Sequence, residues 1–170
     1  MGMDEFSILK EAFLRPKPQP TLGFSLYPKG LPMGAITQVL GLGSTEAMLT
    51  LLAENPSLKA AWVEERLSAY PPAFAQHKAN LNLLLFVEGG NEFPWALTQL
   101  VQSQIFQLVL VASPLKGELT LRRVQLAAER SGCAVVSLCE NEGPSWPVRL
   151  RLESCGSASL LRPAMKEALG

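Results

Sequence analysis

The residues best placed to do chemistry in this 170-residue chain are Gly41-Leu-Gly-Ser-Thr-Glu46-Ala47-Met48. An apolar run, Ala35–Leu40, precedes them and a helix-spaced apolar run follows, so the glycines fall where a strand turns into a helix. A phosphate-binding loop occupies such a junction, with backbone N–H groups and the positive end of the helix dipole facing the anion. Its pattern is G-x-x-x-x-G-K-[ST]. A frame started at Gly41 puts Glu46 at the second glycine, Ala47 at the lysine and Met48 at the hydroxyl that binds Mg²⁺. Ala47 brings no charge to the phosphates. Glu46 sets a carboxylate beside them, where the helix dipole favours one. The thioether of Met48 does not ligate a hard cation that takes oxygen. Gly41, Gly43, Ser44 and Thr45 keep a turn-forming composition, and the glycines serve a plain strand-to-helix turn equally well. Tight MgATP binding is not expected, and no bound cofactor is.

The remaining reactive side chains form no constellation. His77 is the only histidine and has no Cys or Asp cluster near it in sequence. Cys133, Cys139 and Cys155 are odd in number and lack Cys-x-x-Cys spacing, so neither a disulfide framework nor a zinc site is indicated. No metal site is expected, and a reducing, cytoplasmic home is the economical reading. The start of the chain lacks the basic and apolar regions of a signal peptide. No stretch approaches the roughly 20 continuous apolar residues of a membrane helix.

The elements that must position these residues alternate along the chain. Apolar, β-rich runs fall at Ala35–Leu40, Ala60–Val63, Leu81–Val87, Phe106–Ala112, Cys133–Leu138 and Val148–Leu152. Helical patterns lie between them at Thr45–Ala53, Pro71–His77, Pro94–Ser103 and Glu118–Arg130, the last with a glycine stop at Gly132. Short, nearly continuous apolar strands between helices predict an α/β protein with a mostly parallel sheet flanked by helices. The final run alternates Val148, Arg149, Leu150, Arg151, Leu152, which predicts a half-exposed edge strand. Asn82-Leu-Leu-Leu-Phe86 has the look of a short sliding-clamp peptide but reads as a central strand, which excludes that role. At the N-terminus, residues 4–15 carry Phe6 and Phe13 at helical spacing, followed by Arg15-Pro-Lys-Pro-Gln-Pro20, a stiff polyproline-like linker. Three parts follow: an N-terminal helix and linker (1–20), one core domain (21–155), and a flexible tail with a short C-terminal helix (156–170).

Composition limits the function. Lys plus Arg number 15 and Asp plus Glu 15, so the chain is neutral overall, and only 18% of residues are charged, against roughly 25% in soluble domains. Zero net charge argues against a strongly basic nucleic-acid surface, because phosphate binding needs Lys and Arg to displace counterions, and leaves room for a local basic patch. The apolar balance points to a protein partner. Candidate contact residues are Tyr70 and Phe74 in an aromatic, proline-rich strip after a strand end, Arg122 and Arg123 in the basic last third, and Phe6 and Phe13 in the first helix.

Leu31-Pro-Met-Gly34, followed by a strand and a Gly-led loop, resembles the start of the RecA core. Leu119-Thr-Leu-Arg-Arg-Val-Gln-Leu-Ala-Ala-Glu129 resembles the corresponding run of ImuA proteins, and the chain from about residue 22 to 153 resembles the ImuA/SulA-type SOS-response proteins. The resemblance implies a RecA-like fold with degenerate nucleotide motifs. The Walker B aspartate position falls on Ala112, and a gap-free reading puts Arg66 at the catalytic glutamate, just after Glu64 and Glu65. The loops that hold single-stranded DNA in RecA-type recombinases correspond to short segments, Ser113–Glu118 and Glu140–Pro147, the second acidic and without basic residues. The resemblance thus implies a non-catalytic pseudo-ATPase with weak or no direct nucleic-acid binding. It would link RecA to an ImuB-like protein or error-prone polymerase in translesion synthesis. The alternatives are a SulA-type division inhibitor that binds FtsZ and a residual nucleotide-binding ATPase domain. The first helix is the expected route to a homo-oligomer.

Overall fold

The computed structural model of the chain describes residues 19–140, 147–154 and 161–163. Phe6 and Phe13, with the expected N-terminal helix, lie outside the described residues. In chain order the elements are β1 (Thr21–Leu22), β2 (Leu31–Pro32), β3 (Ile36–Leu40), α1 (Ser44–Glu54), β4 (Ala60–Glu64), α2 (Pro71–Gln76), β5 (Leu84–Glu88), α3 (Phe93–Gln102), β6 (Leu108–Val111), α4 (Glu118–Ser131), β7 (Ala134–Cys139), β8 (Leu150–Glu153) and β9 (Arg162–Pro163). Short 3₁₀ turns at Leu81–Leu83 and Gly90–Glu92 flank β5. The expected strand from Leu81 therefore starts later, because Asn80 Oδ1 accepts the Asn82 amide and winds the chain before it can extend.

The strands form one seven-stranded sheet in the order β5-β4-β6-β7-β3-β8-β9. All neighbours are parallel except β8 and β9. Alternation of side chains across the strands divides the core into two layers. On one face Val39, Trp62, Leu110, Val136 and Leu152 pack with Met48 and Leu51 of α1 and with Phe74 of α2. On the other, Ile36, Val63, Val109, Val111 and Val135 pack with Leu97 and Val101 of α3 and Leu121, Val124 and Ala128 of α4. Each such side chain, fully removed from water, contributes about 1.5–3 kcal/mol before the entropy of ordering is subtracted. This is why strands with little polar alternation hold the centre. Helix α4 stops at Gly132, whose left-handed backbone (φ 76°) lets its N–H bond Ala128 O at 2.8 Å.

Both ends of the sheet differ from the sequence-based expectation. β5, read as central, is an edge strand paired only with β4. Its apolar run fills both faces beside β4, and Leu85 remains exposed. That placement removes the reason for excluding the clamp-like peptide, although Leu84–Glu88 is committed to its ladder with β4. β8, read as an edge, lies between β3 and β9. Its Arg151 is accommodated because Nε donates to Gln38 Oε1 on β3 at 3.0 Å. Part of the expected tail also belongs to the sheet: Leu161 is buried, its N–H donates to Leu26 O, and Arg162–Pro163 form β9.

Candidate functional site at the carboxyl edge of the sheet

Because β3, β4, β5, β6 and β7 run in one direction, every connection that follows them emerges at the same edge. That edge is where open α/β sheets bind their ligands. The turn after β3 is short. Gly41 (φ 95°) and Gly43 (φ 90°) take left-handed conformations and α1 begins at Ser44. The phosphate-loop frame would keep the chain open to residue 46, but Ala47 N already donates to Gly43 O at 2.9 Å. Ala47 and Met48, the lysine and hydroxyl positions of that frame, are buried in the core and face away from the edge. Leu42 instead stands exposed between the two glycines.

After β4 the chain is held by carboxylates. Glu64 is buried and accepts Trp62 Nε1 (2.6 Å), Ser68 Oγ (2.7 Å), and the amides of Ser68 (2.9 Å) and Ala69 (3.1 Å). Burial opposes its ionisation, yet the hydrogen bonds from Ser68, Trp62 and Ala69 outweigh it and hold the carboxyl below its ordinary 4.5. Glu88 Oε2 takes the Leu67 amide at 2.9 Å. Glu65 N donates to Ser113 Oγ at 2.8 Å, tying this loop to the end of β6. Glu64 is therefore spent on structure, and Arg66 is exposed. Ala112, which the resemblance sets at the Walker B aspartate, is half-buried and bonds Val63 O through its N–H.

The contact candidates separate. Tyr70 is 67% exposed at the end of the Glu64-anchored loop. Phe74 is only 3% exposed: its ring is wedged edge-on between Trp62 (5.0 Å) and Phe86 (4.9 Å). It is a core residue, not a contact residue. The proline-rich strip suggested a surface, but α2 turns its one aromatic side chain inward against the sheet. Arg122 and Arg123 are exposed on α4, with no ion pair among the described residues. Cys133 is buried, which pushes its thiol up to about 12 and leaves it inert. Among the described residues no three of His, Cys, Asp and Glu cluster to hold a metal ion.

The sequence reading missed the surface beside α3. Two adjoining cavities of about 310 and 250 Å³ open between the first turns of α3 and α4, sharing Asn91, Pro94 and Thr120. Trp95 and Arg123 line one, and Glu65, Leu115 and Lys116 the other. The signal was Pro94-Trp95, separated by three residues from the pair Gly89-Gly90: a tryptophan in the first helical turn, off the stripe of Phe93, Leu97 and Val101 that the core uses.

No protein-family model matches the chain, and no curated protein sequence does. A solved structure of the RadB recombinase is similar over 74% of this chain and 77% of that one, with a TM-score of 0.58 and 18% identity. The chain has a RecA-like fold. In this RecA-like sheet the strand-to-helix turn lies at the carboxyl end of β3, flanked by β7 and β8. No helix among the described residues is long and apolar enough to cross a membrane.

Proposed function

We propose that this chain is a non-catalytic RecA-fold interaction protein of the ImuA type, linking RecA to an ImuB-like protein and an error-prone polymerase in the response to DNA damage. The turn after β3 carries the non-catalytic part of this reading. A phosphate cradle needs free backbone N–H groups ahead of the helix and a cation to follow. Here the helix starts at Ser44, Ala47 N is already bonded, and positions 47 and 48 are in the core. The absence of an aspartate at Ala112 and the engagement of Glu64 support the same reading. The ImuA assignment is supported by the Leu119–Glu129 run, whose Arg122 and Arg123 face solvent on α4. Isothermal titration with MgATP is expected to give no binding up to millimolar nucleotide, and micromolar affinity would overturn the pseudo-ATPase reading. A pull-down from cells with damaged DNA is expected to recover RecA or a polymerase-family protein. Recovery of neither overturns the partner assignment.

A further inference from the structure

The two edges of the sheet are built differently. β9 is two residues long and carries Pro163, both devices that keep an edge from pairing. β5 runs for five residues, Leu84-Leu-Phe-Val-Glu88, with no proline, no lysine and no bulge in its register with β4. It pairs with β4 alone, so the N–H and C=O groups on its outer side have no strand partner among the described residues. Its cover is also one-sided. On the α2 face, Phe86 meets Phe74. On the other face α3 packs over β4 and β6, and Leu85 is left 46% exposed beside half-buried Val87. A row of free backbone groups selects an extended strand, and the apolar strip selects a strand with apolar side chains on that face.

We propose that the occupant is β5 of a second copy of this chain, paired antiparallel about a twofold axis at Phe86 so that two seven-stranded sheets join into one. In this register Leu85 of each copy faces Val87 of the other, and the exposed strip is covered by its own image. Glu88 is the only charge on the strand. It faces Leu84 of the second copy, and the two Glu88 side chains stand at opposite ends of the pair. Charge around the strand ends selects this direction. At the amino end of β4 and β5, Lys59 and Lys78 outnumber Glu54. At the carboxyl end, Glu64, Glu65, Glu88 and Glu92 outnumber Arg66 and Lys116. Antiparallel pairing lays the basic end of each copy along the acidic end of the other, whereas parallel pairing would lay like ends together. With 15 positive and 15 negative residues in the chain, little long-range repulsion opposes the approach. A twofold pair is closed and stops at two copies. This contact is independent of the partner assignment proposed above.

Sedimentation equilibrium of the full chain is expected to show monomer and dimer only, with a dissociation constant on the order of 10 μM, because a pair of five-residue strands is small for an interface. Amide hydrogen exchange across residues 84–88 should slow as the protein is concentrated. Leu85→Lys alters an exposed side chain and should melt like the parent, yet weaken the dimer about tenfold or more. Position 85 of one copy lies diagonal to position 85 of the other, roughly 7–8 Å away. Mixing Leu85→Lys with Leu85→Glu chains should therefore restore the dimer that each alone has lost, which pairing to any other strand would not do. Phe6→Ser/Phe13→Ser should leave the dimer intact. A monomer at every concentration, a dimer that survives Leu85→Lys, or no recovery on mixing would overturn the proposal. So would slow exchange at 84–88 at all concentrations, since the edge would then be covered within one chain. Loss of the dimer in Phe6→Ser/Phe13→Ser would likewise overturn it and move the contact to residues 1–18. The exchange measurement needs no variant, so it decides the matter even if Leu85→Lys fails to fold.

Discussion

At the scale of single residues, Glu64 shows how a carboxylate at the end of a strand can be structural where catalysis is looked for. Its oxygens take four hydrogen bonds from Trp62, Ser68 and Ala69, and these set the course of the loop that presents Leu67 and Tyr70. Because its folded pKa lies below the ordinary 4.5, the unfolded chain binds its proton more readily. The contribution to stability is thus full above about pH 4.5 and is lost as pH falls through the lowered folded value. Glu64→Gln replaces one accepting oxygen by an NH₂ group facing donors. It is expected to cost about 1–3 kcal/mol in urea unfolding at pH 7, with the gap from the parent closing as pH is lowered through that window. A gap that stays constant down to pH 3 would contradict the role given to the charge. The sequence placed Glu64 near a strand end but not its partners, since the loop that folds back on it has no periodic signal. Phe74 misled for a related reason: its proline-rich neighbours describe the backbone, while the rings that bury it come from β4 and β5.

Element by element, the alternation of strands and helices was legible because each segment carries its own burial pattern, and boundaries moved by only a few residues. The order of strands was not legible. β5 is as apolar as a central strand, and β8 carries two arginines, yet β5 is the edge and β8 is internal. The acceptor that lets Arg151 sit inside the sheet is Gln38, 113 residues earlier, a separation no local pattern reports. The entry into α3 is a place where element geometry can be tested. A methyl group at Gly89 would lie 2.5 Å from Phe93 Cα and 2.8 Å from its Cβ, so the start of the helix would have to move. At Gly90 nothing lies within 4 Å and only the positive φ of 53° opposes a side chain. Gly89→Ala is therefore expected to lower stability by about 1–3 kcal/mol through overpacking, and Gly90→Ala by about 1–2 kcal/mol from the left-handed backbone alone. Trp95 emission should shift in the first variant and stay put in the second. The reverse order of effects would show that the β5–α3 junction is looser than its packing implies.

For the whole molecule, the parallel direction of the strands explains where the low charge content is felt. Leu42 follows β3, Leu67 and Tyr70 follow β4, and Trp95 follows β5, so exposed apolar side chains from separate connections gather at one edge. The core does not need them, since both faces of the sheet are already covered by α1 and α2 on one side and α3 and α4 on the other. With 15 positive and 15 negative residues, net repulsion between molecules is weak near neutral pH, so contact between such edges is opposed by little long-range force. The triple variant Leu42→Ser/Leu67→Ser/Tyr70→Ser is expected to raise solubility at pH 7 and to reduce concentration-dependent association in sedimentation velocity. Each change at an exposed site should alter folding stability by no more than about 0.5 kcal/mol. If the variant instead loses stability well beyond that sum, these side chains are supporting the fold. If solubility is unchanged, the apolar edge is not what the molecule presents to its neighbours, and the contact surface must be sought on the outer faces of the helices.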